Sequence, residues 1–418
     1  MNKVSKILKR FGPGFITGAA DDDPSGIATY SQTGAQFGYA QLWIALFSIP
    51  FMIAIQEMCG RIGLVTGRGL AAVIKSRYGK TVLYGAVFLL LLANGVNIGA
   101  DLGAMASAIQ LIAGGALAVW IIVIASFVLL LEVFVSYKTY ARYLKFVALT
   151  LLAYAVAAFA VKQDWPAALR ATLLPSFSFD RDFLFNIVAI MGTTISPYLF
   201  FWQASEENEE EVADGKMPGI GEGIPKVTGR DIRQMRFDTA YGMIFSNLIT
   251  FFIIATTAAT LGRAGITQVG TATEAAAALA PLAGRFASFL FALGIIGTGL
   301  LAVPVLAGSA SYAVAETLGW RSGLYRKFRD AHGFYGVITI ATLLGLMVNF
   351  LGVPPFRMLY YAAALNGIIA PPLMAVILLI AGNRAIMGRR ANGALSNALG
   401  WIVTALMAAA SVALLLER

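Results

Sequence analysis

The sequence predicts an all-α polytopic membrane protein that crosses the bilayer about eleven times. Of its 418 residues, 58% are hydrophobic and only 13% are charged, whereas soluble proteins carry about 25% charged residues. Hydropathy resolves into segments long enough to cross a hydrocarbon core of about 30 Å. Runs of leucine and alanine without regular polar alternation favour a helical bundle over a β-barrel.

The predicted spans are joined by short connections, and the longest polar stretch, 206–236, is expected to be a loop. Since no soluble domain remains, residues 1–418 should form a single transmembrane domain. We place the spans at residues 11–36, 40–66, 81–112, 117–137, 140–161, 183–205, 237–262, 284–315, 334–352, 357–382 and 396–416.

Basic residues occupy every second connection, which predicts the orientation of the chain. This positive-inside bias puts the N-terminus in the cytoplasm and, with eleven spans, the C-terminus outside the cell membrane. The net charge of +9 therefore does not indicate a nucleic-acid partner. The residues concerned are Lys3, Lys6, Lys9, Arg10, Arg68, Lys75, Arg77, Lys80, Lys138, Arg142, Lys145, Lys226, Arg230, Arg233, Arg236, Arg321, Arg326, Lys327, Arg329, Arg384, Arg389 and Arg390.

The N-terminal segment is basic and then apolar, as in a signal peptide. GPG and DDDP interrupt the apolar run, and no convincing cleavage site follows, so we expect a retained first span. The single cysteine, Cys59, excludes intrachain disulfides. The single histidine, His332, is predicted in a cytoplasmic loop, which excludes a histidine proton relay within the membrane.

Two of the spans are predicted to be broken helices. The first contains DDDPSG, residues 21–26, and the sixth contains MGTTISPY, residues 191–198. Proline lacks the N–H group and clashes with the preceding turn of a helix. Irregular backbone within a membrane is tolerated only where it is buried in protein or lines a cavity.

These interruptions lie five spans apart, which predicts two inverted repeats, 1–162 and 183–382, and an extra helix at 396–416. Paired interruptions of this kind indicate the binding site of a secondary transporter. Unwound carbonyls and Asp21, Asp22 and Asp23 favour a cation there. The alternative is an ordinary Asp-Pro helix cap with a proline kink in the sixth span.

Several stretches resemble the Nramp family of divalent-metal transporters, and the match covers most of the chain. The first span, GPGFITGAADDDPSGIATYSQTGAQFGY, is similar to the family's first helix, in which a DPGN motif supplies metal ligands. Other similar segments are AIQEMCGRIGLVTGRGL, GADLGAMASAIQL, LAPLAGRFASFLFALGIIGTG and NRAIMG. The resemblance implies a LeuT-like fold of two inverted five-helix repeats.

By this resemblance, DPGN corresponds to Asp23–Gly26, so the aspartate is kept and glycine replaces asparagine. The sixth-span triplet Met-Pro-His corresponds to Ser196-Pro197-Tyr198, which removes the thioether and the imidazole. The implied metal ligands include the backbone carbonyls of Ala20 and Thr193, one at each break. The predicted metal-site residues are Ala20, Asp22, Asp23, Gly26, Thr193 and Ser196.

Three further residues are predicted along the ion pathway or behind the ligands. Asp101 matches an aspartate on the family's proton route, although a structural polar contact is an equal alternative. One turn later, where the family usually has an acidic residue, this chain has Ala104. The arginine pair expected in the ninth span is also absent from this sequence. Tyr198 and Asn366 complete this group, with ordinary interhelical hydrogen bonding as the alternative for Asn366.

Ligand softness predicts the ion. Sulfur selects softer transition metals, whereas carboxylate, carbonyl and water suit Mg²⁺ and Mn²⁺. A roomy oxygen-only site suits a partly hydrated Mg²⁺, as in the Nramp-related magnesium transporters that the pattern resembles. We therefore predict import of Mg²⁺, and also of Mn²⁺, without tight proton coupling. The alternative is a proton-coupled Mn²⁺/Fe²⁺ transporter of the usual Nramp type.

Other function classes fit the residues less well. An organic-substrate symporter is disfavoured by the three aspartates, and an intramembrane aspartyl protease lacks a recognisable motif; a passive channel is harder to separate. We predict no enzymatic activity, no cofactor and no obligate protein partner beyond the metal ion and the lipid bilayer. The acidic run SEENEEE, which begins at Ser205, is expected to be a solvated helix end, or alternatively to enrich cations at the inner vestibule.

Overall fold

A computed structural model describes residues 12–135, 149–223 and 225–416, and these residues form helices and no β-strand. In chain order the α-helices are α1 Pro13–Asp21, α2 Pro24–Phe37, α3 Trp43–Phe47, α4 Ile49–Thr66, α5 Leu70–Arg77, α6 Gly79–Ala113, α7 Leu117–Phe134, α8 Leu152–Ala160, α9 Trp165–Leu173, α10 Arg181–Thr194, α11 Pro197–Ala213, α12 Gly229–Thr257, α13 Ala272–Ala277, α14 Ala280–Ala283, α15 Ala287–Leu318, α16 His332–Val348, α17 Pro355–Gly382, α18 Arg384–Met387 and α19 Ala394–Leu416.

Nine helical stretches in the described residues are long and apolar enough to cross a membrane. The first predicted span is present as the two short helices α1 and α2. The fifth, 140–161, begins outside the described residues and is represented by α8. The helical fold class is therefore confirmed. The basic residues at positions 3–10 and 138–145 also lie outside the described residues.

Two predicted boundaries are wrong. The loop expected at 206–236 is shorter, because α11 continues to Ala213 and α12 already begins at Gly229. A capping box at Thr228 and Asp231 starts α12 early. The second span begins at Ile49 rather than at residue 40, and the preceding residues form the short helix α3.

Both predicted helix breaks are present. Helix α1 ends at Asp21, and Asp23 is the N-cap of α2, with Pro24 in its first turn. Helix α10 ends at Thr194, and extended backbone at Ser196 leads into Pro197 of α11. Proline at the first position of a helix needs no N–H partner, which explains why each second half-helix begins there.

Glycines bring each broken helix against a neighbour. A Cβ at Gly18 of α1 would lie 2.3 Å from the carbonyl carbon of Gly242 in α12. A Cβ at Gly192 of α10 would lie 2.1 Å from the Ala363 carbonyl oxygen in α17. Such close backbone contact is typical of helix pairs in membranes. Both breaks are thereby fixed in the interior of the bundle.

Glu57 and Arg61 form an internal ion pair, with Arg61 Nε 2.9 Å from Glu57 Oε1 and both side chains buried. Arg236 of α12 also reaches Glu57 Oε1, at 2.8 Å. Arg61 donates further to the Arg390 carbonyl and to Asn392. The pair therefore joins α4, α12 and the segment that precedes α19.

Candidate metal site between the two helix breaks

The two helix breaks are in direct contact. The Tyr198 hydroxyl donates to the Ala20 carbonyl at 3.0 Å, and the hydroxyls of Ser25 and Thr193 lie 3.1 Å apart. A Cβ at Gly26 would lie 3.1 Å from the Tyr30 ring and 3.4 Å from Thr193 Oγ1. The structure thus brings the predicted metal-site residues Ala20, Gly26 and Thr193 together with Tyr198, which the sequence predicts along the ion pathway or behind the ligands.

Asp23 begins the second half of the first broken helix. Its Oδ1 accepts from the backbone N–H of Gly26 at 2.7 Å and from Ser25 Oγ at 2.6 Å. A carboxylate in this position caps orphan N–H groups and faces the positive end of the helix dipole. Asp23 is 1% exposed, so its charge lies inside the protein at the contact between the breaks.

Asp21 and Asp22 point to α12 and share one hydrogen-bond donor. Ser246 Oγ lies 2.7 Å from Asp21 Oδ2 and 3.1 Å from Asp22 Oδ1. A hydroxyl has a single hydrogen, so it serves one carboxylate at a time. Asp21 Oδ1 and Asp22 Oδ2 are buried without a hydrogen-bond partner. Buried carboxylates in this condition require a proton or a cation.

The second break carries no formal charge. Ser196 Oγ lies 2.8 Å from the carbonyl oxygens of both Gly192 and Thr193, and Thr194 Oγ1 donates to the Ile190 carbonyl. The Ser196 hydroxyl thus lies against the Gly192 and Thr193 carbonyls at the C-terminal end of α10, which have no intrahelical N–H partner. The Ser196 hydrogen is therefore directed to its own helix, and only its oxygen lone pairs remain for an ion.

Asp101 lies on α6 with both carboxylate oxygens buried and without a hydrogen-bond partner. One turn earlier, Asn97 Nδ2 donates to Asn366 Oδ1 at 2.9 Å, while Asn366 Nδ2 has no partner. Asn94, Asn97 and Asp101 are all buried in the interior.

Side chains alone do not form a closed metal cage at the breaks. Among the described residues, no group of three or more His, Cys, Asp or Glu side chains is arranged to hold a metal ion. A cation at this site would thus depend on few carboxylates, with backbone carbonyls, hydroxyls and water as the remaining ligands. Mg²⁺ is usually bound in this manner.

The family model described as natural resistance-associated macrophage protein-like matches residues 14–417. The chain belongs to the Nramp family. The resemblance noted in its first, second, third and eighth spans is thereby confirmed, and it extends over nearly the whole chain.

Curated relatives of this Nramp chain include two proteins named divalent metal cation transporter MntH. That of Deinococcus radiodurans is 26% identical, over 99% of this chain and 91% of the relative. That of Yersinia enterocolitica is 24% identical, over 95% of this chain and 92% of the relative.

Solved structures share the fold of this Nramp chain. A manganese transporter of Eremococcus coleocola aligns with a TM-score of 0.74 at 16% identity, over 99% of this chain and 87% of that one. Mhp1, a nucleobase-cation-symport-1 family transporter, aligns with a TM-score of 0.56 at 14% identity, over 97% of this chain and 90% of that one. The predicted LeuT-like fold is therefore confirmed.

Sequence reasoning missed two side chains at the breaks of this Nramp protein. Ser246 is the donor shared by Asp21 and Asp22, and Ser25 joins Asp23 to Thr193. The polar pair Ser246-Asn247 in the otherwise apolar stretch MIFSNLITFF of the seventh span is the signal that points to α12. A polar side chain within a membrane helix generally faces the bundle interior.

Proposed function

We propose that this protein is a secondary transporter that imports divalent metal cations, most readily Mg²⁺ and also Mn²⁺. The observation that carries the proposal is the pair of buried, unpartnered carboxylate oxygens on Asp21 and Asp22 beside two broken helices in contact. Membership of the Nramp family and the names of the relatives, divalent metal cation transporters, support the class of ion.

The ligand set supports Mg²⁺ as the preferred ion. Asp23 and Asp22 supply charge, and the carbonyls of Ala20 and Thr193 and the Ser196 hydroxyl supply neutral oxygens. Gly26 lets the two breaks lie in contact, since a Cβ there would lie 3.1 Å from the Tyr30 ring and 3.4 Å from Thr193 Oγ1. Residues 20–26 and 192–198 contain neither sulfur nor imidazole. Oxygen ligands suit Mg²⁺ and Mn²⁺, and Mg²⁺ retains several of its waters when bound.

We infer transport without tight proton coupling, because Ala104 follows Asp101 where a second acidic residue would continue a proton route. The competing candidate is a proton-coupled Mn²⁺/Fe²⁺ transporter. Asp101 favours this alternative, since both its oxygens are buried and unpartnered and such a group readily takes up a proton.

Flux into proteoliposomes tests both candidates. Vesicles with an internal Mg²⁺ indicator and a pH indicator are exposed to Mg²⁺, Mn²⁺ or Cd²⁺. We expect Mg²⁺ uptake, competition by Mn²⁺, weak competition by Cd²⁺ and no internal acidification. Acidification in step with uptake would favour the proton-coupled candidate, and the absence of any divalent uptake would refute the proposal.

The arrangement in the membrane is part of the same proposal. We infer that 1–162 and 183–382 are inverted repeats, that 396–416 is an additional helix, and that the N-terminus is cytoplasmic. With eleven spans the C-terminus is then extracellular. Labelling of single cysteines introduced at the exposed residues Arg68 and Leu173, in a Cys59→Ser background, checks this: an impermeant reagent applied outside should reach only the second.

A further inference from the structure

A second acidic feature lies far along α11 from the helix breaks. It is a cavity of about 110 Å³, bounded by α11, α12, the start of α1 and the turn after α11. At 1.5 Å per residue, Glu211 lies roughly 22 Å along the helix from Ser196. Six carboxylates and one lysine line this inner cavity: Glu207, Glu210, Glu211, Asp214, Asp231, Asp238 and Lys216.

The acidic run in this region is buried except at Glu210, so the expectation of a solvated helix end is wrong. Glu207 is 5% exposed and Glu211 is 1% exposed. The burial arises because α11 packs against α1, α4 and α15 rather than projecting into solvent. Buried carboxylates are unfavourable unless each has a compensating partner.

Most of the carboxylates in the inner cavity accept a hydrogen bond or pair with a cation, but no hydrogen-bond donor among the described residues reaches Glu211. Lys216 Nζ lies 3.0 Å from Asp231 and 3.3 Å from Asp214. Asp238 accepts from the backbone N–H groups of Gly12 and Phe15 at 3.0 and 3.2 Å. Gln203 donates to Glu207 at 2.8 Å.

Both oxygens of Glu211 are buried without a hydrogen-bond partner. Its nearest cationic neighbour along the chain, Lys216, is already engaged by two aspartates. The cavity thus contains more negative charge than the described residues neutralise. Lys216 attracts Glu211 electrostatically, but two aspartates already share that lysine, and a mobile cation would supply the missing positive charge.

We infer that the inner cavity is a second divalent-cation site, which holds a hydrated ion such as Mg²⁺ through its water shell. Direct coordination by side chains is disfavoured because no three acidic side chains in the described residues are arranged to hold a metal. A cavity needs about 10–15 Å³ to hold one water molecule, so the inner cavity, at about 110 Å³, has room for several. The choice of ion rests on the proposed function.

An ion in this cavity would connect three parts of the fold. Glu207 and Glu211 belong to α11, Asp238 belongs to α12, and Asp238 also holds the first residues of α1 through Gly12 and Phe15. The second site therefore lies where the first half-helix docks onto the bundle.

Mn²⁺ binding measured by electron paramagnetic resonance, on the full chain in nanodiscs, tests the inference. In an Asp23→Asn background, where the central site is impaired, we expect about one Mn²⁺ per chain to remain. Adding Glu211→Gln should weaken that binding by about tenfold or more, because a buried charge beside the ion is removed. Glu222→Gln, which alters an exposed carboxylate outside the cavity, should leave it within about twofold.

Three results would overturn the inference: no Mn²⁺ bound to the Asp23→Asn protein, no effect of Glu211→Gln, or an equal effect of Glu222→Gln. Should the double variant fail to fold, Glu211→Gln alone should lower the number of Mn²⁺ ions bound per chain from two to one.

Hexamminecobalt(III), whose ammine ligands do not exchange, should displace Mn²⁺ from a water-mediated site, and failure to displace it refutes that mode of binding. If proteoliposomes show no divalent uptake while Mn²⁺ still binds in the inner cavity, the proposed transport is refuted and the second site is not.

Discussion

The two helix breaks occupy matching positions in the chain but differ in charge. The first contains three buried aspartates, two of which have an oxygen without a hydrogen-bond partner. The second contains only hydroxyls and carbonyls, and the Ser196 hydroxyl is engaged by its own helix end. On the proposed function, the first break would attract the ion, whereas the second would supply neutral oxygens.

The carbonyls predicted as ligands also differ in how they are held. The Ala20 carbonyl accepts from Tyr198, across the contact between the breaks. The Thr193 carbonyl accepts from Ser196, within its own helix end. A carbonyl oxygen has two lone pairs, so each can keep its hydroxyl and still face an ion. Loss of Tyr198 should thus affect both breaks, and loss of Ser196 chiefly one.

The largest effect is expected from Asp23→Ala, which removes the carboxylate at the contact between the breaks. Divalent uptake into proteoliposomes should fall to background, a loss of about a hundredfold or more, because a charged ligand in a low-dielectric site is removed. The lost N-cap should cost only about 1 kcal/mol of stability. Asp164→Ala is the matched control, since Asp164 caps α9 through the Ala167 N–H. Normal uptake by Asp23→Ala, or equal loss in the control, contradicts the assignment.

The same comparison separates what the sequence predicts from what it does not. Pro24 and Pro197 make both breaks predictable, because proline lacks the N–H group and clashes with the preceding turn of a helix. Proline alone does not decide, since Pro304, Pro371 and Pro372 lie inside continuous helices. The polar and glycine residues beside Pro24 and Pro197 complete the local signal. The shared donor Ser246 has no such local signal, since its contact with Asp21 and Asp22 depends on how α12 packs on α1.

Burial of the acidic run was missed for a related reason. A cluster of glutamates at a helix end is normally solvated, and only the packing of α11 against neighbouring helices buries Glu207 and Glu211. The ion preference, the repeat boundaries and the orientation of the chain stay predictions. Each depends on energies or on a membrane that residue patterns describe only indirectly.

The second largest effect is expected from Ser246→Ala, which removes the hydroxyl that Asp21 and Asp22 share. Loss of a hydrogen bond to a charged group should lower stability by about 1.5–3 kcal/mol. Added Mg²⁺ should recover part of this loss if the ion compensates the same carboxylates. Thermal unfolding with and without Mg²⁺ measures both. Ser48→Ala, whose hydroxyl donates to the neutral amide of Asn247, should lose less and show no added Mg²⁺ rescue.

Ser196→Met should change selectivity by altering the neutral break. A thioether favours softer ions, so uptake of Cd²⁺ relative to Mg²⁺ should rise roughly tenfold, which corresponds to about 1.4 kcal/mol. Competition uptake of the two ions gives this ratio directly. Ser196→Ala removes the hydroxyl without adding sulfur, and it should leave the ratio nearly unchanged. An unaltered ratio in Ser196→Met would count against the softness argument.

The smallest effect is expected from Tyr198→Phe, which removes the hydrogen bond that joins the breaks at the Ala20 carbonyl. A neutral hydrogen bond contributes about 1 kcal/mol. Losing this one should raise KM for Mg²⁺ roughly fivefold with the maximal rate kept, because the carbonyl is no longer held in position. Tyr154→Phe, a buried tyrosine of α8, should leave KM unchanged. A lower KM in Tyr198→Phe would reverse the interpretation. The hydroxyl would then compete with the ion for the Ala20 carbonyl, and the ion would have to displace it in order to bind.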